Sequence, residues 1–173
     1  MAGGPHEGVV AAKEFEAFVA EERLRLLAVA FALCADHHGA EDLVQEALLE
    51  AFRRWDRLGG YDDPGAWARR VVVHRATSRW RRLQTESRAL TRLGARPAPT
   101  AVERDPDADR FWDAVRALPP RQAQMIALRY VDDLDLAEIG RILECAEGTV
   151  KATLHQARRA LAARLGAEVR DDA

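Results

Sequence analysis

The sequence predicts an all-α protein made of two small helical domains. Apolar residues recur at three- and four-residue spacing along most of the chain, no segment alternates as a strand does, and a run rich in Pro, Ala and Asp interrupts the pattern after residue 93. A chain of 173 residues, 48% of them hydrophobic, is long enough for two cores. We expect an N-terminal tail (1–12), a first domain (13–85), a flexible linker (86–108), a second domain (109–166) and a C-terminal tail (167–173).

Three helices are predicted in the first domain. Residues 13–35 form one that is apolar on nearly every face around LRLLAVAFALCA, which places it at the centre of a small bundle. A second helix runs from Ala40 to Leu58, and its inner stripe consists of Leu43, Val44, Ala47, Leu48, Ala51, Phe52 and Trp55. Helix-breaking Gly, Asp and Pro residues at 59–65 separate it from a third helix that begins near Pro64 or Ala66. Its inner positions, four residues apart, are Ala68, Val72, Ala76 and Trp80.

The second domain ends in the pattern of a helix-turn-helix. It opens with a short helix around Phe111 that Pro119 closes, followed by a helix over about 120–131 that buries Ala123, Ile126, Ala127 and Tyr130. Next come a short helix with Leu136, Ile139, Ile142 and Leu143, a tight turn at 144–146, and a longer helix with Val150, Leu154, Ala157 and Leu161. Two helices joined by such a turn are typical of a DNA-binding module, although a helical hairpin with solvated charges has the same periodicity.

Charge is distributed unevenly along the chain, although the net charge is only −2. Residues 1–60 carry 11 acidic and 6 basic side chains, whereas 63–92 carry 8 arginines against two carboxylates. Residues 100–146 are again acidic, and 147–165 are basic. The basic segments suit a polyanion such as nucleic acid, while the acidic ones are free for a different partner.

No catalytic or metal-binding pattern stands out. Cys34 and Cys145 lie far apart, so neither a disulfide framework nor a zinc site is indicated. His37 and His38 have acidic neighbours, but adjacent loop histidines cannot easily face one ion, so we interpret them as solvated loop residues. We predict a protein that is not an enzyme and binds no cofactor. Since no signal peptide or membrane span is apparent, we expect it to be cytoplasmic without a membrane partner.

Long segments of the chain resemble a known family. Residues 118–161, LPPRQAQMIALRYVDDLDLAEIGRILECAEGTVKATLHQARRAL, resemble the promoter-binding fourth region of bacterial sigma factors, with GTVK the most recognisable part. AEDLVQEALLEAFRRW and DDPGAWARRVVVHRATSRWRR resemble the second region. The two regions occur in the family's order, and a short linker replaces the third region. This architecture is that of the extracytoplasmic-function (ECF) group, and the chain resembles its actinobacterial SigE-like members.

The resemblance implies a sigma factor, which directs core RNA polymerase to promoters and melts the DNA there. It implies that the clamp coiled coil of the largest polymerase subunit is bound by Asp42, Gln45 and Glu46. It implies minus-ten DNA contacts from Tyr61, Trp67, Arg70, His74, Arg75 and Arg79. It implies minus-thirty-five contacts from Thr149, Lys151, Thr153, His155, Gln156 and Arg158. The resemblance also implies three other partners: the flap of the second-largest polymerase subunit, promoter DNA and an anti-sigma factor.

Some assignments leave alternatives open. Asp42 and Glu46 could instead be charges favoured by the helix dipole, and Trp67 could be a core residue. The chain departs from the family at Glu144, where a Gly commonly forms the corner of the helix-turn-helix, and at Ala146, where a Ser often caps the recognition helix. His74 replaces a frequent Asn, and Ala152, Thr153 and Gln156 replace frequent Ser, Arg and Arg, which removes phosphate contacts. A helix-turn-helix regulator that acts without core polymerase, or a degenerate sigma paralogue acting as an interaction protein, remains an alternative.

Overall fold

The computed structural model describes residues 5–92 and 105–166, which form eight helices and no strand. The helices of the first half are α1 (Pro5–Cys34), α2 (His37–Arg53), α3 (Trp55–Leu58) and α4 (Pro64–Arg92). Those of the second half are α5 (Pro106–Arg116), α6 (Pro120–Tyr130), α7 (Leu136–Leu143) and α8 (Glu147–Leu165). The all-α prediction is confirmed. Across the described segments, no helix combines the length and apolar character needed to cross a membrane.

α1 is the central helix of the first half, as its apolar sequence predicts. Leu26, Val29 and Leu33 of α1 are buried between α2 and α4, and each such side chain contributes about 1.5–3 kcal/mol by leaving water. The chain then reverses at Ala35, whose φ of 57° lies in the left-handed region, so α2 begins at His37 rather than at Ala40. Pro5 occupies the first turn of α1, which therefore begins earlier than the sequence predicted.

The predicted second helix is interrupted near its end. Arg54, with φ −115° and ψ 12°, leaves the helical region, and the single-turn α3 follows. The break turns Trp55 and Leu58 onto Ala51, where Phe15 and Phe18 of α1 pack against Trp55 with ring centroids 5.1 and 5.0 Å away. The prediction that Phe52 belongs to the core was wrong: this side chain is 54% exposed, because its neighbour Ala51 already occupies the inner position.

The second half contains the predicted helix-turn-helix, formed by α7 and α8. Asp135 and Glu138 form a reciprocal capping box at the start of α7, and α7 ends at Glu144, whose φ of 52° and ψ of 53° are left-handed. Ala146, the N-cap residue before α8, makes no side-chain cap, as its sequence predicts. The predicted burial of Tyr130 was wrong: it is 51% exposed, and its hydroxyl accepts a hydrogen bond from Nε of Arg158 at 2.8 Å.

The two halves pack against each other over one continuous hydrophobic core. α5 and α6 contact α1, and α6 and α7 contact α4. Residues 86–92, assigned above to the linker, continue α4, because QTESRALTR contains neither Gly nor Pro to end the helix. Pro106–Ala108, at the other end of that predicted linker, already belong to α5. The remainder of the predicted linker, 93–104, and the terminal segments 1–4 and 167–173 lie outside the described residues.

The helix-turn-helix corner depends on Gly140 for a close backbone approach. The amide of Cys145 donates to the carbonyl oxygen of Gly140 at 2.9 Å, and a Cβ on Gly140 would lie only 2.8 Å from the carbonyl oxygen of Cys145. We expect Gly140→Ala to lower the free energy of unfolding by about 1–3 kcal/mol, since backbone must move to relieve the overlap. Urea denaturation measures this change.

Gly148 provides the matched control for this substitution. It lies in the first turn of α8, and a Cβ there would meet nothing within 4 Å. Gly148→Ala should leave stability unchanged or raise it by up to about 1 kcal/mol, because Ala favours helix over Gly. Equal urea midpoints for the two variants would show that the Gly140 corner tolerates a side chain.

Candidate nucleic-acid interface

The outer face of α2 presents the three residues predicted to bind polymerase. Asp42, Gln45 and Glu46 are all exposed and lie on one side of the helix. The same face carries two apolar side chains that the sequence prediction missed, Leu49 and Phe52, which are 49% and 54% exposed. We call these five residues the α2 strip. Leu49 was detectable from the sequence, since it lies almost opposite the inner stripe of α2 on a helical wheel. An exposed apolar pair with flanking carboxylates is typical of a protein-binding surface.

Carboxylates of α2 contact arginines of α4 across a groove. Arg75 pairs with Glu46 at 3.6 Å and also with Glu50. Arg79 pairs with Asp36, which precedes α2, at 3.2 Å. The groove between these helices has a volume of about 420 Å³ and is lined by Leu43, Glu46, Arg75, Ser78, Arg79 and Arg82. Three guanidinium groups in one open groove provide the kind of positive surface on which a phosphate backbone binds.

The loop before α4 and the start of that helix hold the two aromatic residues predicted to contact minus-ten DNA. Tyr61 is 48% exposed. Asp63 accepts a hydrogen bond from the amide of Ala66 at 2.8 Å and so fixes the start of α4. Trp67 is partly buried beside Trp55 and Leu58, and the guanidinium of Arg54 lies 5.8 Å from the centroid of its ring. Trp67 therefore packs at the edge of the small aromatic cluster and keeps part of its surface accessible.

Two other predicted minus-ten residues, Arg70 and His74, contact the second half of the chain. Arg70 pairs with Glu144 at the helix-turn-helix corner. Nδ1 of His74 lies 3.3 Å from Nε2 of Gln124, and the same Gln124 amide donates to the hydroxyl of Thr77 at 3.0 Å. Partial burial, together with the charges of Arg121 and Arg70, lowers the pKa of His74 below its ordinary value, so the neutral imidazole is favoured.

The outward face of α8 carries the residues predicted to contact minus-thirty-five DNA. Thr149, Lys151, His155 and Gln156 are exposed, whereas Thr153 and Arg158 are partly buried. The inner face consists of Val150, Leu154, Ala157 and Leu161. Arg158 is held by Tyr130, so it has less freedom than Lys151 to reach a phosphate. The first turns of α8 thus offer polar side chains and uncapped amides to a DNA groove.

The interpretation of His37 and His38 as loop residues was wrong: both belong to the first turn of α2, although both are exposed as predicted. The His37 ring stacks on Phe31 at 4.0 Å between centroids. Over the described ranges, no group of three or more His, Cys, Asp or Glu side chains is arranged to hold a metal ion.

Comparison with known proteins identifies the family. The models of "Sigma-70 region 2" and "Sigma-70, region 4" match residues 18–86 and 108–161. The RNA polymerase sigma-E factor of Streptomyces coelicolor is 32% identical over 144 residues, which cover 83% of this chain and 81% of that protein. The ECF RNA polymerase sigma factor SigF of Caulobacter vibrioides is 33% identical, and the match covers 72% of this chain and 70% of that protein.

A solved structure has the same fold. It is the sigma factor RpoE of Bartonella quintana, crystallised with the anti-sigma factor NepR, with 23% identity, coverage of 91% of this chain and 99% of that one, and a TM-score of 0.68. The matched regions span both halves described above, and the family's two functional regions correspond to α1–α4 and α5–α8. The chain belongs to the sigma-70 family of RNA polymerase sigma factors, in its extracytoplasmic-function group.

Proposed function

We propose that this chain binds core RNA polymerase through the α2 strip and directs it to promoters. There the groove between α2 and α4 holds the melted minus-ten strand, and α8 reads the minus-thirty-five duplex. The observation that carries the proposal is the separation of charge on adjacent helices: acidic and apolar side chains on the outer face of α2, and Arg75, Arg79 and Arg82 in the groove of α4. The first surface suits a protein and the second a nucleic-acid strand. The protein would then act in the cytoplasm, beside the polymerase.

Melting requires physical work rather than covalent chemistry. An unpaired base leaves the stack at a cost of a few kcal/mol, which phosphate contacts and stacking on aromatic side chains offset. Tyr61 and the accessible part of Trp67 supply aromatic surface, and the groove arginines supply the charge. The proposed minus-ten site therefore extends from the loop at 59–63 along the outer side of α4.

Reconstituted transcription tests the proposal directly. Core polymerase with this chain should start RNA synthesis at specific promoters, and core polymerase alone should not. A helix-turn-helix regulator would bind duplex DNA but would not bind core polymerase. A degenerate paralogue would bind core polymerase without promoter-dependent RNA. Either result would replace the proposed function, and a pull-down on core polymerase separates the two.

Lys151 allows a quantitative test of the α8 surface. It is exposed in the first turns of α8, off the inner stripe. Lys151→Ala should weaken binding of the holoenzyme to minus-thirty-five DNA and reduce the slope of log affinity against log salt by about one, as expected for one lost phosphate contact. The chain's only other lysine, Lys13, lies exposed on α1, and Lys13→Ala is the control with the same charge change. Identical slopes for the two variants would show that Lys151 faces away from DNA.

A further inference from the structure

Arg54 lies between the aromatic end of the proposed minus-ten site and the groove between α2 and α4. It is the residue at which α2 ends and α3 follows, with φ −115° and ψ 12°. Its side chain is 57% exposed, and its guanidinium lies 5.8 Å from the centroid of the Trp67 ring. The same guanidinium pairs with Glu50 at 2.8 Å. Arg54 therefore contacts the aromatic end on one side and the ion pairs of the groove on the other.

A single carboxylate, that of Glu50, serves two guanidinium groups. Its Oε1 pairs with Arg54, and its Oε2 pairs with Arg75 of the groove. Arg75 also lies 3.6 Å from Glu46, but Glu46 belongs to the α2 strip and faces polymerase in the proposed holoenzyme. Two guanidinium groups then share one close carboxylate. The excess of positive charge at this point favours the binding of a further anion.

The stretch of α4 between Trp67 and Arg75 depends on Arg54 for an accessible positive charge on this side. The two residues are eight positions apart, which is about 12 Å along the helix axis. Of the two arginines between them, Arg69 has a side chain that is only 6% exposed, and Arg70 lies on the side of α4 that contacts the second half. A strand that runs from the aromatic end to the groove therefore passes Arg54.

A phosphate suits the position of Arg54. The ion pair with Glu50 uses Nη2 of Arg54, and one carboxylate oxygen does not exhaust the five N–H donors of a guanidinium. At 5.8 Å from the ring centroid, the guanidinium is near the outer limit of a cation–π contact, which leaves the accessible surface of Trp67 to a base. A base and its phosphate belong to one nucleotide. A base stacked on Trp67 thus brings its phosphate towards Arg54.

We propose that Arg54 binds the phosphate of the unpaired nucleotide whose base stacks on Trp67, and so joins the aromatic end of the minus-ten site to the groove. The inference rests on the proposed function, because the strand concerned is the melted minus-ten strand. Arg54 and Arg75 then hold the strand from either side of Glu50. Since the contact needs an unpaired nucleotide, Arg54 stabilises the open complex and not the closed one.

The test compares Arg54→Gln and Arg54→Lys with Arg57→Gln in reconstituted holoenzymes. Arg57 is exposed on α3, three positions from Arg54, and within the described residues its guanidinium makes no ion pair or ring contact, so Arg57→Gln removes the same charge without these contacts. One probe is a duplex promoter from which the parent holoenzyme initiates. The other is the same promoter with mismatched minus-ten positions, in which the strand is already unpaired. Filter binding at several KCl concentrations gives the affinity and its salt dependence for each probe.

Arg54→Gln should bind the mismatched promoter about tenfold more weakly, the loss expected for one charge-assisted contact. The slope of log affinity against log salt should fall by about 0.7, as expected for one phosphate of a single strand. Arg54→Lys keeps the charge and should keep the parental slope and most of the affinity. All three variants should bind the duplex promoter as the parent does, and Arg57→Gln should match the parent on both probes.

Several results would overturn the assignment. Parental affinity of Arg54→Gln for the mismatched promoter would show that Arg54 only pairs with Glu50. Equal losses in Arg54→Gln and Arg57→Gln would show an effect of general positive charge. If Arg54→Lys binds as weakly as Arg54→Gln but keeps the parental slope, the guanidinium contacts the base and not the phosphate.

Two further measurements separate this inference from the proposed function. Arg54 is exposed and outside the α2 strip, so Arg54→Gln should keep the parental circular dichroism spectrum and the parental affinity for core polymerase. Weaker binding to core polymerase would assign Arg54 to docking and overturn the phosphate contact. A parent holoenzyme that starts no RNA at any promoter would overturn the proposed function, and this inference with it. With a parent that does initiate, a negative result for Arg54 leaves the proposed function intact.

Discussion

Charge reversal at Asp42 should weaken binding to core RNA polymerase by about 100-fold and leave the fold intact. Asp42 is exposed on the α2 strip and makes no ion pair within the described residues, so its carboxylate is available to a partner. Reversing a charge at an interface commonly costs 2–5 kcal/mol, whereas the stability of α2 should change little, because Asp42 lies beyond the first turn of the helix, where the helix dipole has faded. Titration of labelled protein against core polymerase measures the affinity.

Glu16→Arg is the matched control for Asp42→Arg. Glu16 is exposed on α1, outside the α2 strip, and its reversal changes the net charge by the same amount. Leu49→Ala provides a second variant without charge change, and we expect it to weaken binding about tenfold, as an exposed apolar side chain that a partner buries. If Asp42→Arg and Glu16→Arg bind core polymerase equally, with unchanged circular dichroism spectra, the α2 strip is not the docking surface.

The helix periodicity of the sequence located most elements because the buried stripes are regular. α6, α7, α8 and the corner at 144–146 match the prediction closely, since prolines, a capping box and a short turn mark their ends. The break at Arg54 was not predicted. It depends on Trp55 and Leu58 packing against α1, a contact between residues distant in sequence that overrides the helical preference of this segment.

The buried ion pairs of Arg69 with Glu22 and Asp132 were not predicted, although part of their signal was in the sequence. On a helical wheel, Arg69 falls within the inner stripe of α4 formed by Ala68, Val72 and Ala76, and Glu22 falls within the apolar stripe of α1. A charged residue in each of two facing apolar stripes predicts a buried ion pair. The third partner, Asp132, could not be found in this way, because it lies in a loop and its approach depends on how the two halves pack.

The sequence identified charged residues that share one face of α4, but not the ion pairs that these residues make. Arg75 and Arg79 were expected to face solvent, and both are only partly exposed because carboxylates of α2 and its preceding turn pair with them. Sequence spacing shows which residues share a face of one helix, but not which charges a neighbouring helix brings to that face. A residue proposed to bind polymerase consequently contacts one proposed to bind DNA: Glu46 of the α2 strip lies 3.6 Å from Arg75.

Replacing both groove arginines should block promoter opening while closed complexes still form. In a holoenzyme with Arg75→Ala and Arg79→Ala, we expect permanganate reactivity of unpaired thymines to fall about tenfold, because two phosphate contacts to the melted strand are lost. Closed-complex formation in a gel shift should be largely retained, since α8 still binds duplex DNA. Arg23→Ala with Arg25→Ala removes the same two charges from the exposed side of α1 and should open promoters normally.

The ion pairs of the groove suggest a competing explanation for any effect of the double variant, in which Arg75 and Arg79 serve only to attach α4 to α2. Their partners Glu46, Glu50 and Asp36 are at least partly exposed, so the double variant should lose no more than about 2 kcal/mol of stability. Urea denaturation measures this loss of stability. If the double variant stays folded, any loss of promoter opening is due to the missing DNA contacts.

Glu50→Gln tests the same groove from the side of the carboxylates. Because the carboxylates must release the guanidinium groups before a strand can bind, Glu50→Gln should raise permanganate reactivity in the otherwise unchanged holoenzyme. Full opening by the double arginine variant, with parental reactivity in Glu50→Gln, would assign the groove a structural role alone.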